Sequence, residues 1–305
     1  MYYPSGYFRR KALAALKGHW QPALLVALIV NLPTMLMQGF SAFTGNDPFS
    51  RLQTVIVSAS RDGVLSQEVL LTEINTILGS TSFWTIRALE VLALLVTPCL
   101  ALGMYKWLAD LLRGQEQPVN TVFCRMRLFL KAIGLQLLII LKILLWMLHG
   151  IAAMGFVLWP AFQPGLTQAE QLTALQRSQG MTFPALVLMI VPGAMAALRY
   201  ALAEYIMAEK PETGILASVR RSKELMQNQK KNLFFLMVSF LLWYLLEMLI
   251  ASLLSGVLSL VFQMLAGLAL SVYMSCSVSA FYLHLEEANA EHRDPSAEPE
   301  PEQLN

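Results

Sequence analysis

The sequence predicts an all-α membrane protein, a polytopic bundle of about six transmembrane helices, and three observations carry that reading. Six apolar runs stand at about 19–40, 83–109, 132–158, 183–207, 232–254 and 257–284. Each reaches the length of about 20 apolar residues that crosses a bilayer as helix. The composition is 56% hydrophobic and 14% charged, against roughly 45–50% and about 25% in soluble chains. Lys and Arg alternate between rich and poor connections at successive crossings, as the positive-inside rule requires.

Taken in order, residues 1–18 are basic, with Tyr7, Phe8, Ala12, Ala15 and Leu16 opposed to Arg9, Arg10, Lys11 and Lys17. They predict a short amphipathic cytoplasmic helix. No small-residue cleavage site follows the first apolar run, so it reads as an uncleaved span and not as a signal peptide. Pro33 lies inside it. The outer loop 41–82 opens on Gly45-Asn46-Asp47-Pro48, a turn signal, and holds Val64, Leu65, Val69, Leu70, Ile74 and Ile77 at amphipathic spacing. Span two is bracketed by Phe83-Trp84 and by Tyr105 and Trp107, as interfacial aromatic belts are. Span six is rich in small residues (Ala266, Gly267, Ala269, Ser271, Ser275, Ser277, Ser279, Ala280). In lipid, close packing drives helix association, so span six is expected at the centre of the bundle. The stretch 286–305 is acidic, bears proline and offers little to bury, which predicts a disordered tail.

One side of the membrane collects Arg9, Arg10, Lys11 and Lys17, then Lys106, Arg113, Arg125, Arg127 and Lys131, then Arg199, Lys210, Arg220, Arg221, Lys223, Lys230 and Lys231, and finally Arg293. The other holds only Arg51, Arg61, Arg87 and Arg177. Both termini are therefore expected on the cytoplasmic side. The net charge of +2 gives no reason to expect nucleic acid.

Ionisable groups at membrane depth are functional candidates because burying them is costly. Lys142 lies near the middle of span three and Glu247 near the middle of span five, which suggests a pair. His149, further along the face of Lys142, and Glu90 of span two suggest a second. These four make a candidate intramembrane polar site, against the alternative of structural ion pairs or snorkelling. The segment 212–231 reads as a basic cytoplasmic helix, with Ile215, Val219, Ser222 and Met226 on one face. Arg220, Arg221, Lys223, Lys230 and Lys231 are its candidate contacts to anionic lipid headgroups or to a partner.

No Gly-rich phosphate loop, Gly-x-Ser-x-Gly or His-Glu-x-x-His is present, so no enzyme activity is expected. Cys99, Cys124 and Cys276 are scattered and without metal-ligand spacing. No cofactor or metal is expected.

Several stretches resemble a bacterial family of uncharacterised multi-pass integral membrane proteins, DUF family 975. Arg10 to Trp20 (R-K-A-L-A-A-L-K-G-H-W) resembles its opening, and Thr97 to Gly103 its P-L-x-x-G stretch. Further matches are Val191-Pro192-Gly193, Arg199-Tyr200, Ala203-Glu204-Tyr205-Ile206, Ala208-Glu209-Lys210-Pro211, Ser222 to Met226, Lys230, Phe234 to Trp243 and Phe281-Tyr282. Two departures stand out. The family tends to place a glycine in an M-x-G-x-K stretch that here reads Met226-Gln227-Asn228-Gln229-Lys230, and the connection 156–183 is long. The resemblance implies the fold and a bacterial plasma-membrane location, and implies no chemistry. The expected role is a non-enzymatic scaffold or regulator of other envelope components, with a membrane protein or a second copy as partner. The alternative is a small transporter or channel using the buried polar residues. An enzyme acting on lipid is the weakest reading.

Overall fold

The computed structural model describes residues 5–44, 54, 57, 67–163 and 165–293. The turn at 45–48, residues 64 and 65 and the tail beyond 293 lie outside them. Among the described residues the regular structure is helical, without strands. The helices are α1 (Ser5–Leu16), α2 (Trp20–Thr44), α3 (Gln67–Gly79), α4 (Thr81–Leu112), α5 (Phe129–Leu158), α6 (Gln168–Tyr200), α7 (Ala203–Glu209), α8 (Ile215–Leu225), α9 (Lys230–Leu253) and α10 (Gly256–Arg293). Short 3-10 segments at Val119–Leu128 and Trp159–Phe162 precede and follow α5. Six helices (α2, α4, α5, α6, α9 and α10) carry stretches long and apolar enough to cross a membrane. The protein is thus built as a multi-pass, all-α membrane protein.

The helices outrun the apolar runs that foretell them. The connection before span four turns helical at Gln168, where Thr167 and Glu170 form a reciprocal cap. The Thr167 N–H and hydroxyl donate to Glu170 Oε2 at 2.8 and 2.7 Å. The Glu170 N–H returns a bond to Thr167 Oγ1 at 3.4 Å, satisfying donors that a helix start otherwise leaves open. At the other end of the chain, α10 continues through Glu286 and Glu287 to Arg293, so residues 286–293 of the stretch expected to be disordered are helical. The helix expected over 212–231 is split, α8 ending at Leu225 and α9 opening at Lys230.

The chain divides into two compact units, drawn from Met1–Leu28, Cys99–Lys142 and Ala194–Asn305, and from Ile29–Pro98 and Ile143–Gly193. In the first, the C-terminal half of α10 is the buried part, whereas the apolar window of span six is only 11% buried. Residues Cys276 to Leu283 of α10 are all buried, and the helix packs against α1, α8 and α9. Phe8, Ala12 and Leu16, spaced four apart and therefore on one face of α1, are at most 2% exposed. Phe8 meets Phe281 edge-to-face at 5.2 Å between ring centres. The apolar face of α1 is thus spent on protein. Gly103 lets α4 approach the 3-10 segment, since a Cβ there would stand 1.8 Å from the Val122 carbonyl oxygen.

In the second unit, α5 and α6 touch backbone to backbone at Gly150, where a Cβ would lie 2.2 Å from Met189 Cα. Ile77 of α3 is buried while Ile74 is exposed, and the Trp84 indole donates to the Leu78 carbonyl at 2.8 Å. Large apolar side chains remain exposed along the spanning helices, among them Leu242, Met248 and Leu253 on α9 and Leu144, Leu145 and Leu148 on α5. In water such a surface marks an interface. On six spanning helices it is the surface that lipid wets.

Candidate functional site

The four intramembrane candidates do not assemble into the expected pairs. Lys142 points its ammonium at the ring of Tyr200, 5.8 Å from its centre, a cation–π distance. Glu247 lies against Gly267 of α10, where a Cβ would meet its Oε1 at 3.4 Å. Among the described residues no ion pair joins Lys142 to Glu247. Glu90 is held by Arg87 at 2.7 Å, one turn away on its own helix, and His149 is exposed. No ion pair joins these two either. Lys142 and Glu90 thus each have a neighbour other than the expected partner.

The ionisable groups that do gather are at the helix ends of the first unit. Asp110, 3% exposed, is paired with Lys106 on its own helix and lies 3.9 Å from Arg113. Arg113 also donates to Glu209 at the end of α7. The Tyr282 hydroxyl of α10 donates to the second oxygen of the same carboxylate at 2.7 Å. A second chain of charges runs through Glu286 of α10. Lys210 approaches it at 3.6 Å, and Arg221 of α8 reaches it with two nitrogens at 3.2 and 3.4 Å. Arg221 further contacts Glu224 at 3.6 Å. Carbonyls at and just beyond the end of α7 take cations as well, Arg125 reaching the Glu209 carbonyl at 3.5 Å and Lys131 the Pro211 carbonyl at 3.1 Å. Cations belong at such C-terminal carbonyls. Deeper in, Tyr105 hydrogen-bonds Glu204 and stacks on Tyr205 with ring centres 4.2 Å apart.

This clamp fixes the ends of α4, α7, α8 and α10 to one another. Most of it was not singled out from the sequence, because its members are far apart along the chain. The signal that did exist was positional, since Glu204, Glu209 and Tyr282 are among the polar positions of the resemblance.

The proposed basic contacts divide in two. Arg221 faces inward to Glu286 and is half-buried. Arg220, Lys223 and Lys230 line an open cleft of about 650 Å³ with Arg199, Glu224 and Gln227, and Lys231, exposed, is not part of its lining. The Ser222 hydroxyl donates to the Arg199 carbonyl at 3.1 Å, tying α8 to the last turn of α6. The turn that follows α8 has Asn228 at φ 65°, the left-handed region. It folds Gln227 and Lys230 back to the same cleft. Ser218, Val219, Ser222 and Leu225 are buried, so the apolar face of α8 packs on protein. Its outward face carries Leu216, Ala217 and Arg220. Among the described residues, no group of three or more His, Cys, Asp or Glu side chains is placed to hold a metal ion.

The family model described as "Protein of unknown function (DUF975)" matches residues 1–289. The chain belongs to this family. No curated protein and no solved structure matches it. Within the stretch Met226 to Lys230, where the sequence departs from the resemblance, Asn228 is the one non-glycine residue with positive φ among the described residues. Asn is the side chain that best tolerates that conformation after glycine.

Proposed function

We propose that the chain is a non-enzymatic scaffold or regulator in a bacterial plasma membrane, with both termini in the cytoplasm, acting on other membrane components through the outward face of α8. The observation that carries this reading is where charge is left over. The carboxylates of the clamp are consumed by Arg113, Lys210 and Arg221, whereas Arg220, Lys223 and Lys230 have no carboxylate partner among the described residues. Uncompensated charge on an exposed face steers association with an oppositely charged surface. The transporter reading draws less support, because Lys142 and Glu247 have separate neighbours and share no ion pair.

Two measurements on the full chain decide between these readings. With a photo-reactive amino acid at Ala217, irradiation of native membranes should give discrete protein adducts. Proteoliposomes should show no proton flux above protein-free vesicles, and Lys142→Leu should leave that baseline unchanged. Flux that disappears in Lys142→Leu, without adducts at position 217, replaces the scaffold by a transporter.

A further inference from the structure

We propose that the cleft between α6, α8 and α9, lined by Arg199, Arg220, Lys223, Gln227 and Lys230, binds the phosphate of an anionic phospholipid headgroup. This rests on the scaffold reading only in naming what its basic face holds.

The cleft is built from three separate stretches of chain. Arg199 stands in the last turn of α6, Arg220 and Lys223 on α8, and Lys230 is the first residue of α9. The Ser222–Arg199 hydrogen bond and the left-handed Asn228 hold these stretches together. Arg220, Lys223 and Lys230 thus line one opening beside Arg199, and its acid, Glu224, is drawn to Arg221 at 3.6 Å. Arg221 itself is anchored by Glu286. An anion in the cleft relieves the mutual repulsion of these cations. The guanidinium group of Arg220 has the planar donor pairs that match phosphate oxygens, and the lysines add point charges.

Depth selects the source of the phosphate. Lys230 is the first residue of the apolar span Lys230–Leu253, so the cleft opens where a spanning helix begins. That is the level of lipid headgroups. Leu216, one turn before Arg220 on α8, is 72% exposed and shares a surface hollow with Arg220. An apolar side chain beside a phosphate site suits a lipid, whose glycerol and acyl groups it would touch. It adds nothing for a dissolved anion.

The test is equilibrium binding of radiolabelled dioctanoyl phosphatidylglycerol to the full chain in an uncharged detergent. Saturable binding is expected, weakened about 25-fold by Arg220→Gln with Lys223→Gln, at about fivefold per neutralised cation. Lys231→Gln, outside the cleft, should bind as the wild type does. Dioctanoyl phosphatidylcholine, inorganic phosphate and glycerol 3-phosphate should compete far more weakly. Should the double variant fail to elute as a single folded species, Lys223→Gln alone, at an exposed position, should still show the fivefold loss. Equal binding by wild type and cleft variants, or an equal loss in Lys231→Gln, overturns the site. Competition by inorganic phosphate as strong as that of the lipid overturns the lipid assignment in favour of a dissolved phosphate. Because the assay reads lipid on the purified chain, its failure leaves cross-linking at Ala217 untouched, and the absence of a protein partner leaves the lipid result standing.

Discussion

Asn228 holds a conformation that costs an ordinary L-residue roughly 1–2 kcal/mol, because Cβ crowds the following carbonyl. The turn needs it. Leu225 ends α8, Lys230 must begin α9, and the Gln227 and Gln229 N–H groups bond back to the Glu224 and Met226 carbonyls at 3.0 and 3.3 Å. Asn228→Gly should therefore keep or slightly raise stability, whereas Asn228→Val should lower it by about 1–2 kcal/mol, β-branching being least compatible with positive φ. Thermal unfolding of the detergent-solubilised chain measures both. A Val variant as stable as the wild type would mean that the turn is made some other way. At this scale the sequence was partly readable. The sequence marked Met226 to Lys230 as a departure from the resemblance, but the left-handed turn at Asn228 within the expected helix 212–231 was not read from it.

The spanning helices were legible as elements because hydrocarbon admits only helices and closed barrels, and continuous apolar runs of about 20 residues select the helix. Their ends were not, because an end is decided by local polar bonds and not by hydropathy. α6 begins where Thr167 and Glu170 can cap it, well before its apolar run. α10 persists past its apolar run where Glu286 finds Arg221 and Lys210. The cap has a pH signature. The Thr167 N–H and hydroxyl hold the Glu170 carboxyl below its usual range. A carboxyl so lowered contributes stability in full above its unfolded pKa and loses it as pH falls through the folded one. The melting temperature of wild type should thus exceed that of Glu170→Ala by a constant amount from about pH 6 to 8, and the gap should close below about pH 4. A gap that persists in acid would assign the effect to something other than the ionised cap.

At the scale of the whole molecule, the chain's first helix is held by its last. α1 lies on α10 through Phe8, Ala12 and Leu16, and α10 in turn carries Tyr282 and Glu286 to the clamp that ends α4, α7 and α8. Of the small residues of span six, only those from Ser277 onward are buried, where α10 meets α1, α8 and α9. The sequence did not show that a basic N-terminal helix would be among the elements docked there, since amphipathicity looks the same whether the apolar face meets lipid or protein. Nor did it show the clamp, whose partners Arg113 and Glu209, or Arg221 and Glu286, are adjacent only once the fold has brought helix ends together. The charges at membrane depth drew attention first because isolated charges in apolar runs are conspicuous, yet Lys142 and Glu90 are satisfied by near neighbours. The docking of α1 predicts a local opening without global unfolding. Phe8→Ala removes a side chain that is 2% exposed, a truncation that typically costs about 3–5 kcal/mol, and that loss falls first on the contact between α1 and α10. Limited trypsin digestion of the solubilised chain should then cut after Arg9, Arg10 or Lys11 in the variant and spare these bonds in the wild type. Meanwhile α9 and α10 should stay intact in both. Cleavage of the wild type at the same rate would show that α1 leaves α10 freely and that its apolar face is available to the membrane surface.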